Sequence, residues 1–246
     1  MKVFICAAGK GTRLKHISKD YPKPLLKIGK YSILEYLLLM FSSHNKVKEI
    51  HIIVGYKKEL FKKIIGNDFN RIPVFYHHNH KYNETNNLYS LYCSRKYMVG
   101  DILFSTADLI IDPVLLRKFI DEKEGNKVLV DSSIKLKDDI VKVECKNDII
   151  INMSKKLHAN RAYSGAVGLY RMSGDGIKDY FKTCNYIFKK YGKDVGFIEP
   201  IPYLKETQPF YASDYVNFTW FDVDNEVDYE LSKYISSKLY LQLNEL

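Results

Sequence analysis

The chain has 246 residues, of which 46% are hydrophobic and 27% are charged, and its formal net charge is +9 at pH 7. This length is typical of one α/β domain, so we predict a single domain over residues 1–246. The composition is typical of a soluble globular protein, and no apolar run reaches the roughly 20 residues that a membrane-spanning helix needs. Lysines are spread along the chain without interleaved aromatic residues, which argues against a nucleic-acid partner.

The first residues and the cysteines bear on the compartment in which the protein works. Residues 1–6 run directly into a glycine-rich segment and lack a secretory pattern, so we expect a cytoplasmic protein. The four cysteines are far apart in the sequence, which argues against a zinc site and against a disulfide framework. We expect buried thiols at these positions.

The first half of the chain alternates predicted strands with predicted helices. Apolar, β-prone residues predict strands over 2–6, 49–54, 72–76 and 101–105. Helical spacing of apolar residues predicts helices over 33–42, 57–65 and 88–97. This alternation predicts an α/β fold with a doubly wound, mainly parallel (Rossmann-like) sheet flanked by helices.

The second half of the chain has a different pattern. Short strand-like runs occupy residues 127–130, 140–145, 149–153 and 162–170, and longer helices are predicted over 174–191 and 226–244. We expect this half to extend the sheet with mixed β-strands.

Small residues follow the first predicted strand and form a candidate phosphate-binding loop. Ala7, Ala8, Gly9, Gly11 and Thr12 allow the backbone to approach a bound group closely. Successive backbone N–H groups in such a loop can converge on phosphate oxygens. The loop lies at the carboxyl end of a strand, where open α/β sheets bind their ligands.

Two basic residues add charge to this loop. Arg13 has a planar guanidinium suited to phosphate oxygens, and Lys23 lies between Pro22 and Pro24, which stiffen its backbone. A dinucleotide fingerprint requires a third glycine where Leu14 stands, and a phosphate-binding G-K-[S/T] sequence is absent as well. A glycine turn that only joins a strand to a helix is the remaining alternative.

Residues 7–14, with Pro-Lys-Pro-Leu-Leu at 22–26, resemble the signature of the nucleotidyltransferases that activate sugar 1-phosphates and phosphocholine with nucleoside triphosphates. The Asn-Asn-x-x-Ser-Leu element at 86–91 resembles the phosphocholine cytidylyltransferase branch. The resemblance implies Mg²⁺-dependent transfer of CMP from CTP to a small phosphorylated or phosphonylated acceptor, with release of pyrophosphate. Arg13 and Lys23 are then the expected catalytic residues.

Two other functions stay open at this point. One is a sugar-1-phosphate nucleotidyltransferase that uses another triphosphate, and the other is a catalytically silent nucleotide-binding regulator. The acceptor is open as well, and phosphocholine, 2-aminoethylphosphonate and other amine-bearing phosphates are candidates.

Acidic residues at two places are candidate metal ligands. Asp108 follows a predicted strand at the sheet edge, where a carboxylate can bind a divalent cation, and Ala107 beside it is a candidate nucleotide contact. The resemblance implies that Asp108 binds Mg²⁺ and that Asp224 is the second ligand. Asp222 is the alternative to Asp224.

Polar residues near the start of the helix predicted over 88–97 are candidates for reading the base. Asn86, Asn87 and Ser90 carry amide and hydroxyl groups that can pair with the edge of a pyrimidine. The alternative is that Asn86 or Ser90 only caps the helix.

The candidate acceptor residues lie in the second half of the chain. The resemblance implies that Lys155 faces the acceptor phosphate and that the mixed strands form the acceptor side. Tyr163 and Trp220 are candidates for an aromatic contact with a cationic headgroup, and Glu199 is a candidate partner for an amine.

Overall fold

The first strand, β1 (Lys2–Ala7), lies between two parallel neighbours inside the sheet, and the residues along it are mostly buried. Val3 and Ile5 belong to one apolar cluster, and Phe4 belongs to another. Because successive side chains of a strand point to opposite faces, both faces of the sheet are covered. The structure is a computed structural model that describes residues 1–18 and 21–244.

Twelve strands lie within the described residues. After β1 they are β2 (Glu49–Val54), β3 (Asp68–Phe69), β4 (Ile72–His78), β5 (Asp101–Thr106), β6 (Leu109–Ile111), β7 (Lys127–Asp131), β8 (Lys142–Lys146), β9 (Ile149–Ser154), β10 (Ser164–Ser173), β11 (Tyr211–Asp214) and β12 (Trp220–Asp222).

Ten of these strands form one sheet with the order β3-β4-β2-β1-β5-β10-β7-β11-β9-β8. β4, β2, β1 and β5 are parallel, whereas β10 is antiparallel to both β5 and β7. β8 also pairs with the first residues of β10, so β10, β7, β11, β9 and β8 form a closed ring of strands. β6 and β12 form a separate antiparallel pair.

Helices cover both faces of the sheet. Those in the described residues are α1 (Lys15–Ser18), α2 (Ile33–Ser42), α3 (Lys58–Ile65), α4 (Asn87–Cys93), α5 (Pro113–Asp121), α6 (Asp175–Tyr191) and α7 (Glu226–Asn244). α2, α3, α5 and α7 contribute to the apolar cluster that contains Val3, and α4 and α6 contribute to the cluster that contains Phe4. None of the helices in the described ranges is both long and apolar enough to cross a membrane.

The helix starts follow from local sequence. Ser32 caps α2 in a reciprocal box, in which its hydroxyl accepts from the Glu35 N–H and the Glu35 carboxylate accepts from the Ser32 N–H. Asp112 caps α5 ahead of Pro113, which needs no hydrogen-bond partner at the first helical position.

The prediction of a doubly wound, mainly parallel sheet with a mixed β extension is confirmed. The helix predicted over 88–97 is too long, because α4 ends at Cys93 and a 3₁₀ turn follows over Arg95–Tyr97. Ser94 ends the α-helix, since its hydroxyl donates to the Leu91 carbonyl. Helix α5 and strands β3, β6, β11 and β12 were not predicted, although Asp112-Pro113 ahead of an apolar run is a start signal for α5.

A buried ion pair joins β10 to β5. The Arg171 side chain is 3% exposed, and its guanidinium binds both carboxylate oxygens of Asp101 at 2.7 and 2.8 Å and the Glu122 carbonyl at 2.7 Å. We expect Arg171→Met to lower the free energy of unfolding by about 3–5 kcal/mol, because it leaves the Asp101 carboxylate without its partner. Urea denaturation followed by circular dichroism measures this loss.

Lys178→Met is the matched control. Lys178 pairs with Asp175 at 2.7 Å on the exposed side of α6. A urea midpoint of the Arg171→Met variant equal to that of the Lys178→Met variant would contradict a structural role for the buried pair.

Candidate active site

A cleft with a volume of about 440 Å³ opens at the carboxyl ends of β1 and β5. The candidate phosphate-binding loop forms one wall, through Ala7, Gly9, Gly11 and Thr12. Ala8 is not part of the lining, and its carbonyl accepts from the Tyr56 N–H instead. The rest of the lining comes from Cys6, Arg13, Lys23, Pro24, Asn86, Ala107, Asp108 and Asp224.

Gly11 allows the loop to pack tightly against Lys23. Its φ is +63°, and a Cβ at this position would lie 2.5 Å from the Lys23 Cβ. Both the left-handed backbone and the close contact exclude a larger residue without a shift of the loop. Gly11 therefore fixes the distance between the loop and the segment that carries Lys23.

The Lys23 ammonium lies at the centre of the site and bonds to three groups. It contacts Asp108 Oδ2 at 2.5 Å, Asp224 Oδ1 at 3.1 Å and the Val223 carbonyl at 2.9 Å. Burial by itself lowers the pKa of the Lys23 ammonium, but the two carboxylates outweigh this effect and raise it above its usual value. Lys23 is therefore charged at neutral pH.

Asp224 is held by two cations. Arg13 Nη1 lies 2.7 Å from Asp224 Oδ2, on the opposite side from Lys23. Burial favours the neutral form of Asp224, yet Lys23 and Arg13 together keep the pKa of its carboxyl below its usual value. The Asp224 side chain is therefore ionised and faces the cleft.

Two local features bring Asp224 to Asp108. β12 pairs with β6, and the Val223 N–H donates to the Asp108 carbonyl at 2.9 Å. A reciprocal cap then starts α7, because Asp228 accepts from the backbone N–H of Asp224 and Asn225 while Asn225 accepts from that of Asp228. The backbone on both sides of the Asp224 carboxylate is thus fixed.

Asp108 and Asp224 suit a hard divalent cation. Within residues 1–18 and 21–244 there is no cluster of three or more His, Cys, Asp or Glu side chains that could hold a metal. Mg²⁺ is commonly held by only one or two carboxylates together with substrate phosphates, and two carboxylates converge here on the Lys23 ammonium. The pair of carboxylates therefore fits the donors that Mg²⁺ requires.

Asp222 has a different environment from Asp224. It accepts from the Thr106 hydroxyl at 3.4 Å, whereas Lys23 and Arg13 both bond to Asp224. Burial, followed by repulsion from Asp108 and Asp224, raises the pKa of the Asp222 carboxyl well above its usual value.

A second cavity of about 500 Å³ adjoins the first. Arg13, Asp108 and Asp224 line both cavities, so these three residues mark the boundary between them. The second cavity has aromatic walls from Tyr170, Phe197, Trp220 and Phe221. Its ionisable lining also includes Lys135, Lys137, Asp139, Lys155, Asp222 and Asp228.

The Trp220 ring is fixed by a buried carboxylate. Its indole N–H donates to Asp131 Oδ2 at 2.9 Å, and Asp131 is 2% exposed. Asp131 Oδ1 also accepts from the backbone N–H and the hydroxyl of Ser133, at 2.8 and 2.6 Å. Asp131 thus holds both the indole and the turn that leads to Ile134 and Lys135 in the cavity wall.

Residues 2–139 match the Nucleotidyl transferase family. This chain belongs to that family. It is 28% identical over 189 residues to the CTP:phosphoglutamine cytidylyltransferase of Campylobacter jejuni, covering 70% of this chain and 73% of the relative. It is 40% identical over 100 residues to the choline-phosphate cytidylyltransferase of Streptococcus pneumoniae, covering 41% of this chain and 42% of the relative.

A solved structure of another protein has a similar fold. The structure of the inositol-1-phosphate CTP transferase from T. maritima superposes with a TM-score of 0.80 at 19% identity, over 97% of this chain and 95% of that one. At this level of identity the likeness concerns the fold. The prediction of a nucleotidyltransferase with cytidylyltransferase relatives is confirmed.

In this nucleotidyltransferase, the two predicted base-reading asparagines flank the boundary between the cavities. Asn86 lines the first cavity and caps α4, where its side chain accepts from the Asn87 N–H at 2.8 Å and donates to Asp194 at 3.2 Å. Asn87 lines the second cavity, and its side-chain oxygen Oδ1 accepts from the Phe197 backbone N–H at 2.8 Å. Both side chains therefore have structural contacts in addition to any contact with a ligand.

Ser90, which the sequence suggested as a nucleotide contact, lines neither of the two cavities. It is 4% exposed, and its hydroxyl accepts from the Asn79 amide at 2.9 Å. It lies one turn inside α4, so the helix buries it while Asn86 and Asn87 stay at the open end.

Two of the four predicted acceptor residues also lie outside the linings of the two cavities. Tyr163 is 49% exposed, and its hydroxyl donates to Asp214 at the end of strand β11 at 2.8 Å. Glu199 is exposed in the turn before the 3₁₀ helix Ile201–Leu204. Lys155 and Trp220, by contrast, both line the second cavity.

Sequence reasoning missed several residues of the second cavity. Lys135, Lys137 and Asp139 lie in the connection between β7 and β8, where charged residues between two strands were an available signal. Asp131 offered no such signal, because its partner Trp220 lies 89 positions away in the sequence.

Proposed function

We propose that this protein is a cytidylyltransferase that transfers CMP from CTP to a small phosphorylated or phosphonylated acceptor and releases pyrophosphate. The observation that carries the proposal is that two cavities meet at Arg13, Asp108 and Asp224, with Lys23 at the boundary. A donor in one cavity and an acceptor in the other would meet at this boundary. We further propose that residues 1–246 act as one domain and that the enzyme works in the cytoplasm.

The first cavity suits the triphosphate. Its loop has small residues at Ala7, Gly9 and Gly11, so phosphate oxygens can reach the backbone N–H groups. Arg13 is 65% exposed and lies beside the same loop, where its guanidinium can take a second contact besides Asp224. Arg13 and the loop together would orient the donor.

Lys23 is suited to stabilise the charge that develops during transfer. The acceptor oxygen forms a bond to the α-phosphorus, the bond from this phosphorus to the bridging oxygen breaks, and pyrophosphate leaves. Lys23 is fixed by Asp108, Asp224 and the Val223 carbonyl, so little reorganisation is needed to present its charge. Mg²⁺ bound by Asp108 and Asp224 would supply further charge neutralisation at the phosphates.

The second cavity suits an acceptor that combines a phosphate or phosphonate with an amine. Lys155 and Arg13 provide positive charge for the anionic group. The indole of Trp220 and the carboxylate of Asp139 in the same lining suit a cationic group. The cytidylyltransferase relatives, which by name act on phosphoglutamine and choline phosphate, support this class of acceptor.

CTP is expected to be the preferred donor, with a kcat/KM at least about tenfold above that for UTP. Cytosine has an acceptor at N3, whereas uracil has an N–H there, and an unpaired polar group costs about 1–3 kcal/mol. Asn87→Asp keeps the oxygen that bonds to the Phe197 N–H group but removes the amide donors. Asn86→Asp likewise keeps the oxygen that bonds to the Asn87 N–H group, and it also places a carboxylate beside Asp194. We expect both variants to lower the ratio of CTP to UTP efficiency.

Pyrophosphate release with the four nucleoside triphosphates and a panel of acceptors measures these ratios. Asn185→Asp is the matched control, since Asn185 lies on α6 outside both cavity linings and its side-chain oxygen accepts from the Tyr92 hydroxyl. Equal efficiency with CTP and UTP in the unchanged protein would refute the cytidylyltransferase proposal. Efficient use of a sugar 1-phosphate with another triphosphate would support the sugar-activating alternative instead.

The two proposed metal ligands can be separated from Asp222 by substitution. We expect Asp108→Asn and Asp224→Asn each to raise the Mg²⁺ concentration for half-maximal activity by about tenfold or more, because each loses one anionic ligand. Asp222→Asn should have a smaller effect, since Asp222 lies outside the lining of the first cavity, to which we assign the triphosphate, whereas Asp108 and Asp224 are part of it. Magnesium titrations of pyrophosphate release make the comparison, and a larger effect at Asp222 would make Asp222 the second ligand.

Trp220 provides a test of the acceptor cavity. Asp131→Asn puts an amide donor close to the indole N–H, and Trp220→Phe removes the indole N–H itself. For both variants we expect the KM of the acceptor to rise about tenfold, which corresponds to about 1.4 kcal/mol, while the KM of CTP changes little. Tyr163→Phe is the control, and an effect of Tyr163→Phe equal to that of Trp220→Phe would contradict the assignment of the cavity.

A further inference from the structure

Helix α7 exposes a second apolar stripe on the side away from the sheet. Val227, Leu231, Tyr234 and Leu241 are 76%, 43%, 62% and 64% exposed. Their spacing of four, three and seven residues places all four on one face of a helix. Scattered apolar residues on a surface are ordinary, but four on one helix face, with Lys238 between the last two, form a stripe along the helix.

These four residues, the outer stripe, lie on a different face of α7 from the residues that hold the helix against the rest of the protein. On the inner face the Tyr229 hydroxyl donates to the Lys27 carbonyl at 2.8 Å, and the Ser236 hydroxyl donates to the Ile28 carbonyl at 2.9 Å. Leu239 on the same face is 4% exposed. The rotation of α7 is therefore determined by these contacts, and its outer face is available for a partner.

The outer stripe has the spacing of a two-helix seam. With Lys238 between Tyr234 and Leu241, the stripe follows the alternating steps of four and three residues that coiled coils use. A single lysine in such a seam weakens the association but restricts the register and orientation of the two helices.

We propose that a second copy of this chain covers the outer stripe, with the two α7 helices antiparallel about a two-fold axis near Tyr234. Charge favours this arrangement, because Glu226 and Glu230 precede Tyr234 while Lys238 follows it. An antiparallel pair brings the acidic half of each helix beside Lys238 of its partner. A parallel pair would place the two Lys238 side chains together.

A two-fold contact requires a patch that is complementary to itself. The stripe meets this requirement, since its apolar residues lie on both sides of Tyr234, with Glu226 and Glu230 before Tyr234 and Lys238 after it. Within one copy, Glu230 pairs with Lys233 at 2.6 Å and Lys238 stacks on the Tyr234 ring at 4.3 Å. A membrane surface is less suitable as a partner, because basic flanks favour binding to anionic lipids and one flank here is acidic.

Sedimentation velocity over a range of protein concentrations tests the proposal. We expect the unchanged protein to form a dimer, and Leu231→Lys to raise its dissociation constant by about tenfold or more. Tyr186→Lys is the matched control, since Tyr186 is a 49% exposed aromatic residue on α6, and it should leave the dimer unchanged. Far-UV circular dichroism of each variant verifies that α7 remains helical.

Orientation can be measured by oxidative crosslinking. Near a two-fold axis, Tyr234→Cys should form an intersubunit disulfide. Val227→Cys should not, because seven residues along each helix place the two thiols about 20 Å apart in an antiparallel pair. Charge exchange supplies a second readout, in which Glu230→Lys weakens the dimer and the double variant Glu230→Lys with Lys238→Glu restores it.

Three results would overturn the proposal. They are a monomer at all concentrations, a dimer that Leu231→Lys leaves intact, and equal crosslinking by Val227→Cys and Tyr234→Cys. Binding of the monomer to anionic phospholipid vesicles through the same stripe would also overturn it in favour of a membrane contact. The proposal does not depend on the reaction catalysed, so it can fail or succeed independently of the cytidylyltransferase assignment.

Discussion

The Lys23 ammonium between Asp108 and Asp224 is the interaction on which the rest of the site depends. Two carboxylates this close to one another and partly buried are costly unless cations compensate them. Lys23 compensates both, and Arg13 adds a second cation to Asp224. The four side chains come from three segments that are distant in the sequence, so their charges also hold the loop, the sheet edge and the start of α7 together.

The fold explains why these charges meet at this point. β1 and β5 are parallel neighbours, so the loop after β1 and the segment after β5 lie at the same edge of the sheet. The β6–β12 pair then brings the segment before α7 to Asp108. The reciprocal cap of Asn225 and Asp228 fixes that segment, so one end of α7 is part of the site while its outer face is exposed.

The closed ring of strands in the second half of the chain has a distinct role. It contributes the β7–β8 connection to the lining of the second cavity, and the buried Asp131 carboxylate at the end of β7 links this connection to β12 through Ser133 and Trp220. Under the proposed function, variation of this wall would change which acceptor fits without changing the charged centre. This division between a charged centre and a separate wall agrees with relatives that are named for different phosphorylated compounds.

The sequence by itself determined the parts of the protein that depend on local chemistry. Alternating apolar runs predicted the parallel half of the sheet, and glycines followed by Arg13 and Lys23 predicted the loop, because these signals lie within short segments. The sequence also predicted that Asp108 and Asp224 lie in one site, through resemblance to a family. It did not predict β6 and β12, which are each three residues long and pair with each other across more than 100 positions of sequence.

Only the tertiary structure decided which polar residues face the cavities. Ser90 and Asn86 are both polar and lie within one helical turn of each other, yet the helix buries Ser90 on Asn79 and leaves Asn86 at the open end. Tyr163 and Trp220 are both aromatic, but Tyr163 turns to Asp214 and Trp220 is held in the wall by Asp131. These partners are distant in sequence, so the direction of each side chain is decided only when the strands and helices pack.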